Sequence, residues 1–265
     1  MPMLDITNLT VTLGDRVLLD AVNLSVEPGQ VLGLVGESGS GKSLTSLATI
    51  GLLPPSMTIR SGSIRFEGQE LVGASESVRQ KLRGERIAMV FQDPLAALNP
   101  VMRVGDQIAE SLVRRRGYNR AKAIAESIRL MSRVGIPEPE TRRLSYPHQF
   151  SGGLRQRAVI AMAIACGPSL LLADEPTTAL DVSVQRTVLD LLRCLSEEDN
   201  MSMILVSHDL RVVSHYTQHV AVMRHGKIVE HGTTEAVITN PQHEYTQKLL
   251  SLVPRVGANL AEATR

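Results

Sequence analysis

The sequence predicts an α/β fold that carries a second, antiparallel sheet and an inserted block of helices. Three observations predict it. Four apolar runs without alternation, VLGLV (31–35), RIAMVF (86–91), SLLLA (169–173) and MILVS (203–207), are separated by helical patterns. Such runs suit parallel strands buried on both faces under helices. Two N-terminal stretches, MLDITNLTVTL and LLDAVNLSVEPG, alternate with period two and end in turn residues, as half-buried antiparallel strands do. Between Pro100 and Pro147 the apolar period becomes that of a helix.

The remaining elements follow in order. An apolar helical run covers Leu44 to Leu53, and SGSIRFEGQEL adds a short strand ending at Gly68. In the insert, Ile108, Leu112 and Val113, then Ile124, Ile128, Met131 and Val134, lie at helical spacing. Lys122, Glu126, Arg129 and Arg133 take the opposite face. Arg114, Arg115 and Arg116 are placed in a solvated loop at a helix end. VAVMRHGKIVEHG reads as a β-hairpin with a His-Gly turn, and the terminal VGANLAEATR as a loosely held tail. The expected division is an α/β core with its β subdomain from 1–96 and 149–240, a helical subdomain over 97–148, and a C-terminal extension over 241–265.

Composition excludes several classes. The 265 residues are 43 % hydrophobic and 21 % charged, as in an ordinary globular chain. Lys plus Arg is 28 against 27 Asp plus Glu, a net charge of +1, so no global field favours nucleic acid or an anionic membrane. Trp is absent and aromatics are 3 %, which leaves no stacking platform for bases. Cys166 and Cys194 form no metal or redox motif and read as buried thiols of a reducing compartment. The longest uncharged run, Ala158 to Ala173, is broken by Gly167-Pro168-Ser169 and is too short to span a bilayer. The N-terminus lacks a basic region followed by an apolar core, so no secretory signal is expected, and the protein is expected in the cytoplasm.

Three stretches carry chemistry. Gly36, Glu37, Ser38, Gly39, Ser40, Gly41, Lys42 and Ser43 match G-x-x-x-x-G-K-[ST] in full, after a buried strand and before a helix. Backbone N–H groups of such a loop bind phosphate oxygens, and a β-carbon would obstruct them. Lys42 reaches the β- and γ-phosphates and the Ser43 hydroxyl ligates Mg²⁺, so ATP and Mg²⁺ are the expected ligands. The strand SLLLA then delivers Asp174 and Glu175 to its C-terminal end, where α/β proteins bind ligands. Asp174 is placed to hold Mg²⁺, and Glu175 to polarise a water for attack on the γ-phosphate. Third, Ser151, Gly152 and Gly153 precede a helix from Leu154 to Ala165, which reads either as a plain N-cap or as a second anion site. One molecule needs one γ-phosphate site, so two point to sharing between subunits.

The order GESGSGKS, VFQDP, FSGGLRQR, LLLADEP, ALD and VSHD resembles the nucleotide-binding subunits of ABC transporters over nearly the whole chain. The resemblance implies an ATP hydrolase with a P-loop NTPase core, an antiparallel β subdomain and an inserted α-helical subdomain. It implies that FSGGL is the signature motif, which binds ATP held by the opposite subunit. By the same likeness Gln92 is the Q-loop glutamine, which reaches Mg²⁺ or the attacking water, Asp181 belongs to the D-loop, and His208 is the switch histidine. Two positions depart from the family's pattern: Leu13 stands where an aromatic residue often stacks on adenine, and Leu154 where the signature often has Gln. QDPLAALNPVMRVGDQIAESL, SYPHQFSGGLRQR and NPQHEYTQKLLSLVP are similar to ATPases of dipeptide, oligopeptide and nickel importers. That likeness implies two permease subunits, a second, non-identical ATPase subunit and, indirectly, a solute-binding protein, with the chain peripheral on the cytoplasmic face of the inner membrane. Many peptide-importing relatives continue into a cysteine-rich extension that binds an iron–sulfur cluster. None is expected here, which keeps the nickel or metal-chelate type open. An exporter ATPase, a non-transport ABC ATPase acting on DNA or ribosomes, and a module that holds ATP without cleaving it are the alternatives.

Overall fold

The computed structural model describes residues 1–178 and 180–251. Strands β1 (Leu4–Leu13) and β2 (Arg16–Val26) pair as an antiparallel hairpin. The buried β3 (Val31–Val35) leads into α1 (Lys42–Thr49), followed by β4 (Met57–Phe66), β5 (Gln69–Glu70), α2 (Glu76–Leu82) and β6 (Ile87–Val90). A helical stretch comes next: α3 (Pro94–Ala97), α4 (Val104–Arg116), α5 (Arg120–Arg133), α6 (Pro139–Arg142) and α7 (Gly152–Ile164). The chain closes with β7 (Leu170–Asp174), α8 (Val182–Asp199), β8 (Ser202–Ser207), α9 (Leu210–Ser214), β9 (His219–Arg224), β10 (Lys227–Thr233), α10 (Thr234–Thr239) and α11 (Glu244–Ser251).

Two sheets result. One is antiparallel, in the order β2-β1-β4-β5; the other runs β10-β9-β3-β8-β7-β6, parallel throughout except for the edge strand β10. The second sheet shows why its strands read as unbroken apolar runs. Leu32, Leu34, Leu170, Leu172, Ile204 and Val206 face the antiparallel sheet and pack with Leu4, Ile6 and Ile64. Their neighbours Val31, Val35, Leu171, Ala173, Met203 and Leu205 face the helices and pack with Ile160, Leu189 and Leu192. Period two persists, but both faces are apolar. Each fully buried Leu or Ile side chain contributes on the order of 1.5–3 kcal/mol. The β9–β10 turn is His225-Gly226, with φ of +49° and +78°, both in the left-handed region that a two-residue hairpin turn needs.

Several expectations are corrected. Helix α1 ends at Thr49, short of Leu53, because Gly51 at φ +63° turns the chain. Arg114, Arg115 and Arg116 form the last turn of α4, not a loop, and Gly117 caps it at φ +64°. There the cations meet the carbonyl end of the helix dipole. Arg114 pairs with Glu110 at 2.5 Å, Arg115 donates to the Gln80 carbonyl at 2.8 Å, and Arg116 to the Cys166 carbonyl. The buried face of α5 carries Ala123, Ser127, Leu130 and Met131, which leaves Ile124 and Ile128 half-buried on its flank. Val113 of α4 is exposed. Cys166 is buried as expected, but Cys194 is exposed. The buried positions of α8 are Val188, Leu189, Leu192, Leu195 and Ser196, and Cys194 falls on the other side. The expected tail VGANLAEATR lies outside the described residues. Among the described residues, no helix is long and apolar enough to cross a membrane.

Candidate nucleotide-binding site

β3 ends at Val35, and the chain passes through Gly36–Gly41 before α1 opens at Lys42. Gly39 and Gly41 have φ of +78° and +112°. Gly41 is the N-cap of α1 and no side chain caps the helix. A β-carbon on Gly41 would lie 2.7 Å from both Leu19 Cδ2 and Met223 Cε, so glycine is required for space as well as for conformation. The result is a helix N-terminus whose first N–H groups meet no capping side chain, the arrangement that favours an anion.

Lys42 is 4 % exposed. Its Nζ donates to the Gly36 carbonyl at 2.8 Å and the Glu37 carbonyl at 3.0 Å, and lies 3.6 Å from Glu175 Oε1. Burial pushes the ammonium pKa down, while Glu175 and Asp174 oppose that shift. Ser43 Oγ donates to Asp174 Oδ1 at 2.9 Å. Asp174 ends β7 and is buried, which pushes its carboxyl pKa up against the Ser43 hydrogen bond. Two oxygen donors thus stand together beside a phosphate-shaped cradle. That donor set fits a hard cation such as Mg²⁺, which takes few protein ligands and completes its shell from water and phosphate.

Glu175 follows directly, at φ +45°, a conformation that costs a non-glycine residue about 1–3 kcal/mol and gathers at functional sites. Its carboxylate is a hub. Thr178 Oγ1 donates to Oε2 at 2.9 Å; Gln92 Nε2 donates to the same oxygen at 3.4 Å, and His208 Nδ1 lies 3.4 Å from it. The two 3.4 Å contacts are long for hydrogen bonds. The structure therefore brings Lys42, Ser43, Gln92, Asp174, Glu175 and His208 into one place, although they come from four separate stretches of chain.

Thr178 was not anticipated. The signal was available in the sequence, since a hydroxyl three residues after Glu175 returns to it across one turn, and the Thr178 N–H also donates to the Glu175 carbonyl at 3.3 Å. The cleft beside these groups has a volume of 760 Å³, and its apolar wall includes Leu18, Leu44 and Met57. Leu13, expected near adenine, is not among its lining residues; it pairs across the sheet with Met57, which is.

Ser151, Gly152 and Gly153 are not among the lining residues either. Ser151 is the N-cap of α7 and accepts the Leu154 N–H at 3.4 Å. Ser151 and Gly152 are exposed, while a β-carbon on Gly153 would lie 2.6 Å from Val184 Cγ1 of α8. Leu154 is half-buried against the helix-side core. Asp181 is exposed, caps α8 and accepts from Val184 N at 3.0 Å.

Chemically, the cleft joins a helix N-terminus, one buried cation, a hydroxyl–carboxylate pair and a strained carboxylate. Comparison with known proteins agrees with a nucleotide site. Residues 19–178 match the family model described as ABC transporter. The chain is 45 % identical over 263 residues to the dipeptide transport ATP-binding protein DppD of Lactococcus lactis subsp. cremoris, covering 97 % of this chain and 75 % of that one. It is 44 % identical to the oligopeptide transport ATP-binding protein OppD of Haemophilus influenzae, covering 97 % and 81 %. Among solved structures, the dimeric post-hydrolysis state of the ATP-binding cassette MJ0796 with ADP and Pi superposes with a TM-score of 0.77 at 26 % identity, over 88 % of this chain and 99 % of that one. CbiO1 of Clostridium perfringens, part of the ABC transporter complex cbiONQ, gives 0.80 at 26 % identity over 97 % of each. With its Lys42 loop and the Asp174–Glu175 strand end in one cleft, the chain belongs to the ABC transporter family, as an ATP-binding and ATP-hydrolysing subunit.

Proposed function

We propose that this subunit powers the import of peptides, cleaving ATP in the cleft around Lys42 and passing the resulting motion to membrane-spanning partners. The observation that carries the catalytic part is the convergence of Lys42, Gln92, Thr178 and His208 on the Glu175 carboxylate. The backbone N–H groups between Gly36 and Ser43, with Lys42, take the β- and γ-phosphates. Ser43 and Asp174, with Gln92, would hold Mg²⁺, which when bound would neutralise charge on the phosphate oxygens. Lys42 now spends its ammonium on two loop carbonyls and Glu175. A phosphate chain offers it a stronger partner and frees the Glu175 carboxylate. Glu175 then accepts a proton from water as its oxygen bonds to the γ-phosphorus and the bond to the ADP oxygen breaks. His208 donates a hydrogen bond to a γ-phosphate oxygen, where charge develops.

Ser151, Gly152 and Gly153 serve the ATP of a second subunit. The exposure of Ser151 and Gly152, and the absence of all three from the lining of the Lys42 cleft, support this, as does a structural relative described as dimeric. The partners are two permease subunits and a second, non-identical ATPase, with a solute-binding protein acting indirectly, and the chain works peripherally at the cytoplasmic face of the membrane. The helical subdomain, 97–148, receives the permease; the core is 1–96 with 149–240, followed by the extension from 241. Peptides are favoured over nickel or chelates because the relatives bear dipeptide and oligopeptide names.

Glu175→Gln tests the mechanism. It keeps the shape, so ATP affinity should stay within a few-fold while hydrolysis slows by about 10² to 10⁴, the range for losing a positioned base. Unchanged turnover removes Glu175 from this role. For the cargo, ATPase activity of the reconstituted complex should rise with peptide-loaded binding protein and not with nickel.

A further inference from the structure

The Lys42 loop is braced from outside by the C-terminal part of the chain. The Ser40 carbonyl accepts the Gly226 N–H of the β9–β10 turn at 2.8 Å. The Glu37 N–H donates to Tyr245 Oη, in the first turn of α11, at 2.9 Å. Tyr245 is 2 % exposed, and its position is fixed from several sides. The Glu230 carboxylate of β10 accepts the N–H groups of Gln242 and His243, at 2.7 and 3.1 Å, just before α11. The Tyr245 N–H donates to His243 Nδ1 at 3.1 Å, and the Arg224 guanidinium lies 4.8 Å from the ring centre. A buried tyrosine needs a partner for its oxygen. Here the partner is the main chain of the phosphate loop.

We propose that Tyr245 is a positioning residue for ATP: by accepting the Glu37 N–H, its hydroxyl holds the entry turn of the loop in the shape that presents the inner N–H groups to phosphate. The inference rests on Gly36–Ser43 being the phosphate site. Without the acceptor, the part-buried Glu37 N–H loses the partner that fixes its direction, and the loop populates other shapes that satisfy it. Apparent affinity then falls by the fraction of loops still competent.

The test uses the full chain and compares Tyr245→Phe with the parent by equilibrium ATP binding, by kcat and KM, and by Tm without nucleotide. Loss of one ordinary hydrogen bond sets the expected scale, an ATP Kd and KM raised about 3- to 10-fold, with kcat at saturating ATP within about two-fold. Leu249→Ala, on the same helix and packed on the core, is the packing control; it should lower Tm and leave ATP affinity within about two-fold. Unchanged affinity in Tyr245→Phe overturns the proposal. So does an equal loss of affinity in Leu249→Ala, because the helix and not the hydroxyl would then be acting. Lys42→Ala separates the two levels of failure. If it loses ATP binding while Tyr245→Phe does not, only the tyrosine inference falls; if it binds ATP normally, the phosphate-loop reading itself falls.

Discussion

Two helices of this chain begin at glycine-bearing loops, and they are finished differently. At α1 the N-cap is Gly41, no side chain takes the first N–H groups, and a buried lysine, a serine hydroxyl and two carboxylates stand around the opening. At α7 the N-cap is Ser151, which already accepts the Leu154 N–H, and the loop is exposed. Its glycines serve closeness to α8, where Gly153 leaves room for Val184. The first loop opens onto a buried lysine, a hydroxyl–carboxylate pair and the Glu175 carboxylate, all within one chain. The second supplies only a helix N-terminus and a hydroxyl. Under the proposed function, another molecule brings its phosphate.

Lys42→Ala should have the largest effect. It removes the buried cation from the complete site, so hydrolysis should fall by at least about 10³-fold and ATP binding should weaken, because charge-assisted contacts in a water-excluded site are the strong ones. Phosphate release and equilibrium binding measure both, and normal turnover would show that α1 is not the active end. Ser151→Ala should split those readouts. Turnover should drop by about 10²-fold, as for the loss of one positioned donor, while ATP affinity of the isolated chain stays within about three-fold. A matching loss of affinity would mean that both loops act on the same nucleotide within one chain, and the contrast would collapse.

The two ends also differ in how far the sequence made them legible. The Lys42 loop was readable because G-x-x-x-x-G-K-S couples spacing to strand and helix context, and β3 and α1 lie where that context required. Glu175 was readable from its place at the end of a buried strand. Leu18 and Met57 were not, because they reach the cleft through the pairing of the antiparallel sheet, which no local pattern records; Thr178 carried a local signal, its spacing of three from Glu175. Helix periodicity identified α4 and α5 and placed Met131 and Val134 in the core, but set the centre of the buried face of α5 too far toward Ile124 and Ile128; that face is built partly from Ala123 and Ser127, which carry little hydropathy signal. Cys194 was misread for a related reason: residue type favoured burial, whereas its angular position on α8 faces it outward.

Smaller effects sharpen the contrast. Gln92→Ala should leave ATP affinity within several-fold, since its contact to Glu175 is long at 3.4 Å. It should remove most of the stimulation by loaded binding protein in the reconstituted complex, and full stimulation would refute the coupling role. Asp174→Asn should slow hydrolysis, though less than Lys42→Ala does, yet stabilise the protein in the absence of nucleotide and divalent cation. Burial raises the Asp174 pKa, so the folded state holds that proton more tightly than the unfolded chain. Ionising the group as pH rises through its folded value costs stability, and at pH 7 the asparagine escapes that cost. Tm at pH 7 should rise. The gain should fade as pH falls toward the ordinary aspartate range. A lower Tm at pH 7 would contradict it.

The unequal loops make one quantity decisive: specific ATPase activity of the purified chain as a function of its own concentration, with ATP bound per chain measured alongside. If the Lys42 loop is complete within a chain and the Ser151 loop works only on a partner's nucleotide, binding per chain stays constant while activity per chain rises with concentration from a low value. Full specific activity at a dilution where the chain is strictly monomeric would contradict the account.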